Sequence, residues 1–163
     1  MGKRAIFVLM TLVISSVANP VGVAAQSDPA TVYRQFIDAI NRGDLSAISA
    51  LVTDDAVLVV ADCQPCVGRQ AIVASYVRQI RDHVHVNIVS LQQTGQTVVA
   101  RTEVRSVPIA AAGVERIVLT ATAVIRDNQI ASDRTIPDLN DAQTATFIRA
   151  VTMRFFIRRL GDG

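Results

Sequence analysis

The chain has 163 residues, of which 50% are hydrophobic, 18% charged and only 4% aromatic. That balance is too apolar for a disordered chain, and eight Gly and five Pro are too few for collagen-like or low-complexity material. Two Cys cannot staple a disulfide-built scaffold, and two Tyr with no Trp argue against an aromatic platform for single-stranded nucleic acid.

Lys3 and Arg4 precede an apolar run over residues 5–18, which Asn19-Pro20 breaks; Val23-Ala24-Ala25 then supplies small residues. This is the pattern of a secretory signal peptide over residues 1–25, cleaved after Ala25. The run is shorter than the roughly 20 residues of a membrane-spanning helix, so no transmembrane anchor is expected, an uncleaved anchor being the other reading. The expected location is secreted or periplasmic. Cleavage removes Lys3 and Arg4, so the sixteen basic residues fall to the number of the fourteen acidic ones and the net charge drops from +2 to zero. A uniformly basic surface for nucleic acid is therefore not expected. What remains is long enough to bury roughly 68% of its unfolded surface around one core.

Asp28-Pro29 reads as a helix start, with Asp28 as cap and Pro in the first turn. Val32, Tyr33, Phe36, Ile37 and Ile40 share one face of that helix, and Gly43 ends it. Asp44 caps a second, short helix carrying Leu45, Ile48 and Leu51. Thr53-Asp54-Asp55 reads as a turn, residues 56–61 as a short Val-rich strand and residues 62–68 as an irregular segment. A third helix is predicted over about 69–82, with Ile72, Val73, Tyr76, Val77 and Ile80 on one face. Four strands follow, over about 84–93, 97–107, 115–126 and 129–136, the last two joined by a two-residue turn at Asp127-Asn128. After Pro137 a helix over 141–160 carries Phe147, Ile148, Val151, Phe155, Phe156 and Leu160 as a stripe, with Arg149, Arg154, Arg158 and Arg159 making it basic. Sequential hairpins beside helices predict an α+β layer architecture. The domain reading is a signal peptide over 1–25, a globular domain over 26–138 and a helical tail over 139–163.

The stretches Val32-Tyr33-Arg34-Gln35-Phe36-Ile37-Asp38-Ala39-Ile40-Asn41-Arg42-Gly43-Asp44 and Leu51-Val52-Thr53-Asp54-Asp55-Ala56-Val57 resemble the opening of the nuclear transport factor 2-like superfamily. Gly68-Arg69-Gln70-Ala71-Ile72 resembles its glycine before the third helix, and Asp127-Asn128-Gln129-Ile130-Ala131 its last hairpin. The chain is most similar to the SnoaL-like and ketosteroid-isomerase-like branch, over about residues 29–138. The resemblance implies a cone-shaped curved antiparallel sheet packed on three N-terminal helices, an apolar pocket and a homodimer, here with an added C-terminal helix. It also implies places for isomerase residues. The Tyr of the first helix corresponds to Phe36, the general-base Asp falls near Val60 with Asp62 two residues later, and the second oxyanion donor falls near Ala121 or Thr122. With those positions changed, classical steroid isomerisation is not expected, and fold alone does not settle function.

Several residues carry candidate chemistry. Cys63 and Cys66, in a Cys-x-x-Cys spacing before a helix, read as a short disulfide in an exported protein. A redox pair is the second reading, and a metal site with His83 and His85 a third, poorly spaced one. With Asp127-Asn128 as the turn, Thr122 is expected opposite Asp133 and Val124 opposite Ala131, all on one face, which the resemblance implies looks into the cone. Asp133 is then a candidate pocket carboxylate, but a one-residue shift in the turn would swap the faces, and the favoured reading places it on the outer face, paired with a surface Arg. Arg101, Glu103 and Arg105 alternate on one strand face, as an anion clamp or as a solvated row of ion pairs. No Ser-His-Asp order, glycine-rich phosphate loop or HExxH is present, so no cofactor and no metal are expected.

The expected function is binding of a small apolar molecule, lined by Phe36, Val60, Tyr76, Thr122 and Asp133, or service as a dimeric accessory scaffold. The alternative is an enzyme using Asp133 or Asp62 as acid/base, and a third is a redox protein using Cys63 and Cys66. The C-terminal basic helix is expected to pack on its own domain over the cone mouth, with a dimer contact or an anionic membrane surface as the other readings.

Overall fold

A computed structural model describes residues 27–59 and 65–161, the stretch 153–161 as helix backbone only. Residues 1–25, Val60, Asp62, Cys63 and the side chains of Phe155, Phe156, Leu160, Arg154, Arg158 and Arg159 lie outside what is described, so the expectations resting on them are neither met nor corrected.

The helix starts follow their capping residues. The Asp28 carboxylate accepts from the Thr31 N–H at 3.2 Å and opens α1 (Pro29–Arg42), which Gly43 closes at φ +67°. Asp44 accepts from the Ala47 N–H at 2.9 Å and opens α2 (Leu45–Ala50). The chain then enters β1 (Val52–Val59) without the expected turn. The register of β1 slips between Val52 and Val57, leaving consecutive Asp54 and Asp55 exposed, and each carboxylate meets an arginine. Arg69 sits 3.1 Å from Asp54, and Arg126 pairs with Asp55. Acidic residues read as a turn are thus an irregular strand segment held by ion pairs.

The segment read as irregular contains a two-residue strand, β2 (Cys66–Val67), antiparallel to β1. Gly68 follows at φ +85°, where a Cβ would stand 3.3 Å from the Asp54 carbonyl oxygen, and leads into α3 (Arg69–Arg81). Next come β3 (His85–Thr94) and β4 (Thr97–Arg105). A short helix, α4 (Val107–Ala111), opens on Ser106 and stands where only a connection was expected. β5 (Ile117–Arg126), β6 (Gln129–Pro137) and α5 (Ala142–Gly161) complete the chain.

One six-stranded sheet runs in the order β2-β1-β6-β5-β4-β3. Its pairs are antiparallel except β1–β6, where an early strand lies parallel to the last one. The architecture is the expected α+β curved sheet with helices on its inner face, with that one parallel pair added. Its outer face carries Arg101, Glu103 and Arg105, which bridge Asp138 at 2.8 Å, Arg116 at 3.1 Å and Glu115 at 3.1 Å. This is a solvated row of ion pairs, and the anion-clamp reading falls.

The core lies between α1, α3 and the inner sheet face. Val32, Phe36, Ile48, Ile72, Leu58, Ile125 and Ile130 are all buried. The inner face of the central strands is small: Ala100, Ala121 and Ala123 are buried, and Ala100 pairs directly with Ala121. Of these, Ala121 lines an open space between the layers, and that space is the candidate site.

Candidate functional site

A cavity of about 1030 Å³ opens between α1, α3 and the inner sheet, with α4 and α5 at its far end. Alpha-1 contributes Tyr33 and Phe36, α3 contributes Ser75 and Tyr76, and the sheet contributes Thr102, Ala121, Asp133 and Thr135. Phe36 and Tyr76 meet edge to face, with ring centroids 5.8 Å apart, and fix one wall. Phe147, Ala150 and Val151 of α5 line the other end, where Phe147 packs against Val104, Ile109, Val114, Ile117 and Leu119. The C-terminal helix therefore packs on its own domain, as expected.

The helix is fastened there by its first turn. Thr144 is fully buried; its hydroxyl donates to Asp141 at 2.8 Å and accepts from the Val118 N–H at 2.8 Å. Asp141 also accepts from the Thr144 N–H at 2.9 Å and from Arg116 at 3.0 Å, and these bonds hold its carboxyl down near 2.

Asp133 is the chemically distinctive group. It is 4% exposed, and among the described residues it enters no ion pair and its Oδ1 has no hydrogen-bond partner. Its cross-strand neighbours are Ala123 on β5 and Leu58 on β1, neither of which has a side-chain donor to offer. Burial pushes its pKa up to about 7. Two phenols share the space. Burial raises the pKa of Tyr33, with the Asp133 charge and then Tyr76 adding to it; burial followed by the Asp133 charge does the same for Tyr76. Both phenols stay protonated at neutral pH as hydrogen-bond donors, beside a carboxyl that gains or loses a proton near neutrality. That set can bind a polar atom of an otherwise apolar molecule and move a proton to or from it.

The sequence-derived sites divide accordingly. Phe36, Tyr76 and Asp133 come together in the cavity. Thr122 does not: it is exposed on the outer face and absent from the lining. Thr122 faces outward by the regular alternation of β5, and a bulge in β6 is why Asp133 does not share its face. The turn at Asp127-Asn128 forms as expected, with φ +51° and +61°, so Arg126 faces Gln129 and Ile125 faces Ile130. Val124 then pairs with Ser132, which leaves Ala131 as an extra residue. From there the faces are exchanged: Asp133 stands opposite Ala123, and Thr122 opposite Arg134. The same slip removes the alternative in which Asp133 sits outside beside an arginine. His83 (φ +53°) occupies the turn before β3, and no metal-holding cluster occurs among the described residues. Val60, Asp62 and Cys63 lie outside those residues, while Cys66 is buried on β2.

Sequence reasoning missed Tyr33 as a site residue. The resemblance put the first-helix phenol at Phe36, whereas the cavity's α1 phenol stands three residues earlier on the same face. Its i, i+3 relation to Phe36 was the available signal, but an apolar face reads alike for core and for pocket.

No curated protein matches the sequence. Solved structures show the fold. An NTF2-like protein of unknown function from Cytophaga hutchinsonii has TM-score 0.58 at 11% identity, covering 72% of this chain and 96% of its own. An LEH-like epoxide hydrolase from M. tuberculosis has TM-score 0.58 at 16% identity, covering 78% and 95%. IdmH, a candidate polyketide cyclase from Streptomyces antibioticus, has TM-score 0.59 at 20% identity, covering 77% and 99%. The sequence profile of the SnoaL-like domain matches residues 33–132, from the cavity's first phenol to the residue before its carboxylate, and the chain belongs to the SnoaL-like domain family.

Proposed function

We propose that this protein binds a small, largely apolar molecule in the cone cavity and transfers a proton to or from it through Asp133, with Tyr33 and Tyr76 donating hydrogen bonds to the oxygen that gains charge. The observation that carries this reading is the buried Asp133 oxygen without a partner among the described residues, facing an apolar cavity beside two protonated phenols. A carboxyl placed only for stability has a donor or a counter-ion. A carboxyl near pH 7 in a water-poor pocket suits general acid–base work. No cofactor is part of the proposal.

Export by the signal peptide over residues 1–25, a Cys63–Cys66 disulfide and a homodimer belong to the same reading. Export supports the disulfide, since two nearby Cys oxidise outside the cytosol. Exposed Val57, Val59, Val99, Val124 and Ile136 supply apolar surface for a second copy.

Native mass spectrometry of the protein purified from a secreting host tests all of these through its mass. It reads the loss of residues 1–25, the two-hydrogen deficit of a disulfide, the dimer and any retained molecule. A retained molecule is then incubated in D2O with the wild type and with Asp133→Asn. Deuterium uptake at an acidic C–H that falls by about 10²-fold or more in the variant supports proton transfer by Asp133. Equal uptake with both proteins removes Asp133 from the chemistry.

A further inference from the structure

The cavity carries one feature that proton transfer does not use. Arg78 is the only basic side chain among the described residues that line it, and it has no carboxylate partner among them. It stands on α3 two residues after Tyr76, about 3 Å further along the helix axis. Gln79 and Asp82 continue the lining toward the end closed by Ser106 and Pro108. Asp82 is not free to neutralise Arg78 alone, because Arg81 holds its carboxylate at 3.5 Å. The cavity thus has an apolar body, a carboxyl with two phenols inside, and at its exposed rim on α3 a guanidinium with no carboxylate partner among the described residues.

We infer that the occupant is an amphipathic anion, an apolar body bearing one carboxylate, sulfonate or comparable group, and that Arg78 reads that group. The inference rests on the reading of the cavity as a binding site. Arg78 is exposed, so its unpaired guanidinium stands at the solvent-facing rim of the pocket, where it attracts an anionic end that stays near water, and its planar donors match two oxygens of one group. The apolar body then extends past Phe36 and Tyr76 toward Asp133, so that Arg78 fixes which end enters last. Arg78 is a specificity residue in this scheme and takes no part in proton transfer.

Two fluorescent probes that share one body separate the possibilities. Anilinonaphthalene sulfonate carries the anion, and N-phenylnaphthylamine lacks it. The wild type is expected to bind the sulfonate roughly fivefold more tightly than the neutral probe, a preference that shrinks as salt rises. Arg78→Ala abolishes the preference while leaving the neutral probe within about twofold, which also shows that the cavity is intact. Arg78→Lys keeps part of the preference, since the charge remains without the fork. Arg34→Ala makes the same charge change on an exposed α1 residue away from the cavity, and leaves the preference as it was. Equal wild-type affinity for both probes, or equal weakening of both by Arg78→Ala, overturns the inference while the binding site stands. Failure of the neutral probe to bind overturns the reading of the cavity itself.

Discussion

Asp133 makes the acid side of the stability curve informative. Its carboxyl ionises near the usual value of 3.8 in the unfolded chain and near 7 in the folded one. Between those values the folded state holds a proton that the unfolded state has released, so stability falls as pH rises through this window. At about 1.4 kcal/mol per unit, the loss amounts to several kcal/mol by pH 8. Asp133→Asn has no such proton to lose. Its thermal midpoint is expected to match the wild type near pH 4 and to exceed it at pH 8, as read by calorimetry across that range. Midpoints that run parallel at all pH values would show that Asp133 ionises normally. The chance of reading this residue from sequence was limited by one neighbour. The Asp127-Asn128 turn was legible in its residue types, but the extra residue at Ala131 was not, and it decides that Asp133 looks inward although Thr122 looks outward. Tyr33 was hidden differently, because a phenol in an apolar stripe looks the same whether its ring meets a core or a cavity.

At the scale of elements, what the sequence spelled out was local. Asp28, Asp44 and Gly43 mark helix ends with side-chain and backbone chemistry that acts within four residues, and α1 and α2 stand where those marks put them. Beta-1 and β2 were misread because their residues satisfy partners that are distant or irregular: Asp55 meets Arg126, seventy-one positions away, and β2 is two residues long. The docking of α5 is also long-range, yet its means are compact. The Thr144 hydroxyl both completes the helix cap with Asp141 and satisfies the buried Val118 N–H at the edge of β5. Thr144→Val preserves the shape and removes both bonds. It should destabilise the protein by about 1–3 kcal/mol, because the Val118 donor is left buried and unpaired. Thr144→Ser keeps the hydroxyl and should lose less than half as much. Urea denaturation of the two variants checks this, and a Val variant as stable as the wild type beside a weakened Ser variant would mean that the methyl packing of Thr144, and not its hydroxyl, fastens the helix.

For the whole molecule, the parallel β1–β6 pair and the cavity arise together. Hairpins are legible from turns, but a first strand that pairs with the last has no local signature, and it is this pair that sets Leu58 beside Asp133 on the inner face. On the inner face of β5, the small Ala121 then leaves part of the space between sheet and helices open. An open volume of this kind forgoes dispersion contacts and apolar burial that a filled core would have. Filling it should therefore stabilise the protein and close the site. Ala121 is buried in the middle strand and lines the cavity, so Ala121→Leu adds three carbons to empty space. At about 0.8 kcal/mol per buried carbon the free protein should gain up to about 2 kcal/mol. N-phenylnaphthylamine at a hundred times its dissociation constant should stabilise the wild type by about 2.7 kcal/mol through mass action. The variant should melt at or above the wild type without the probe and show a much reduced shift with it. A destabilised variant that keeps the full shift would mean that Ala121 is packed tightly and that the probe binds elsewhere. A stabilised variant with no shift would show that the small residues of the inner sheet are retained for the molecule they admit, at the expense of a tighter core.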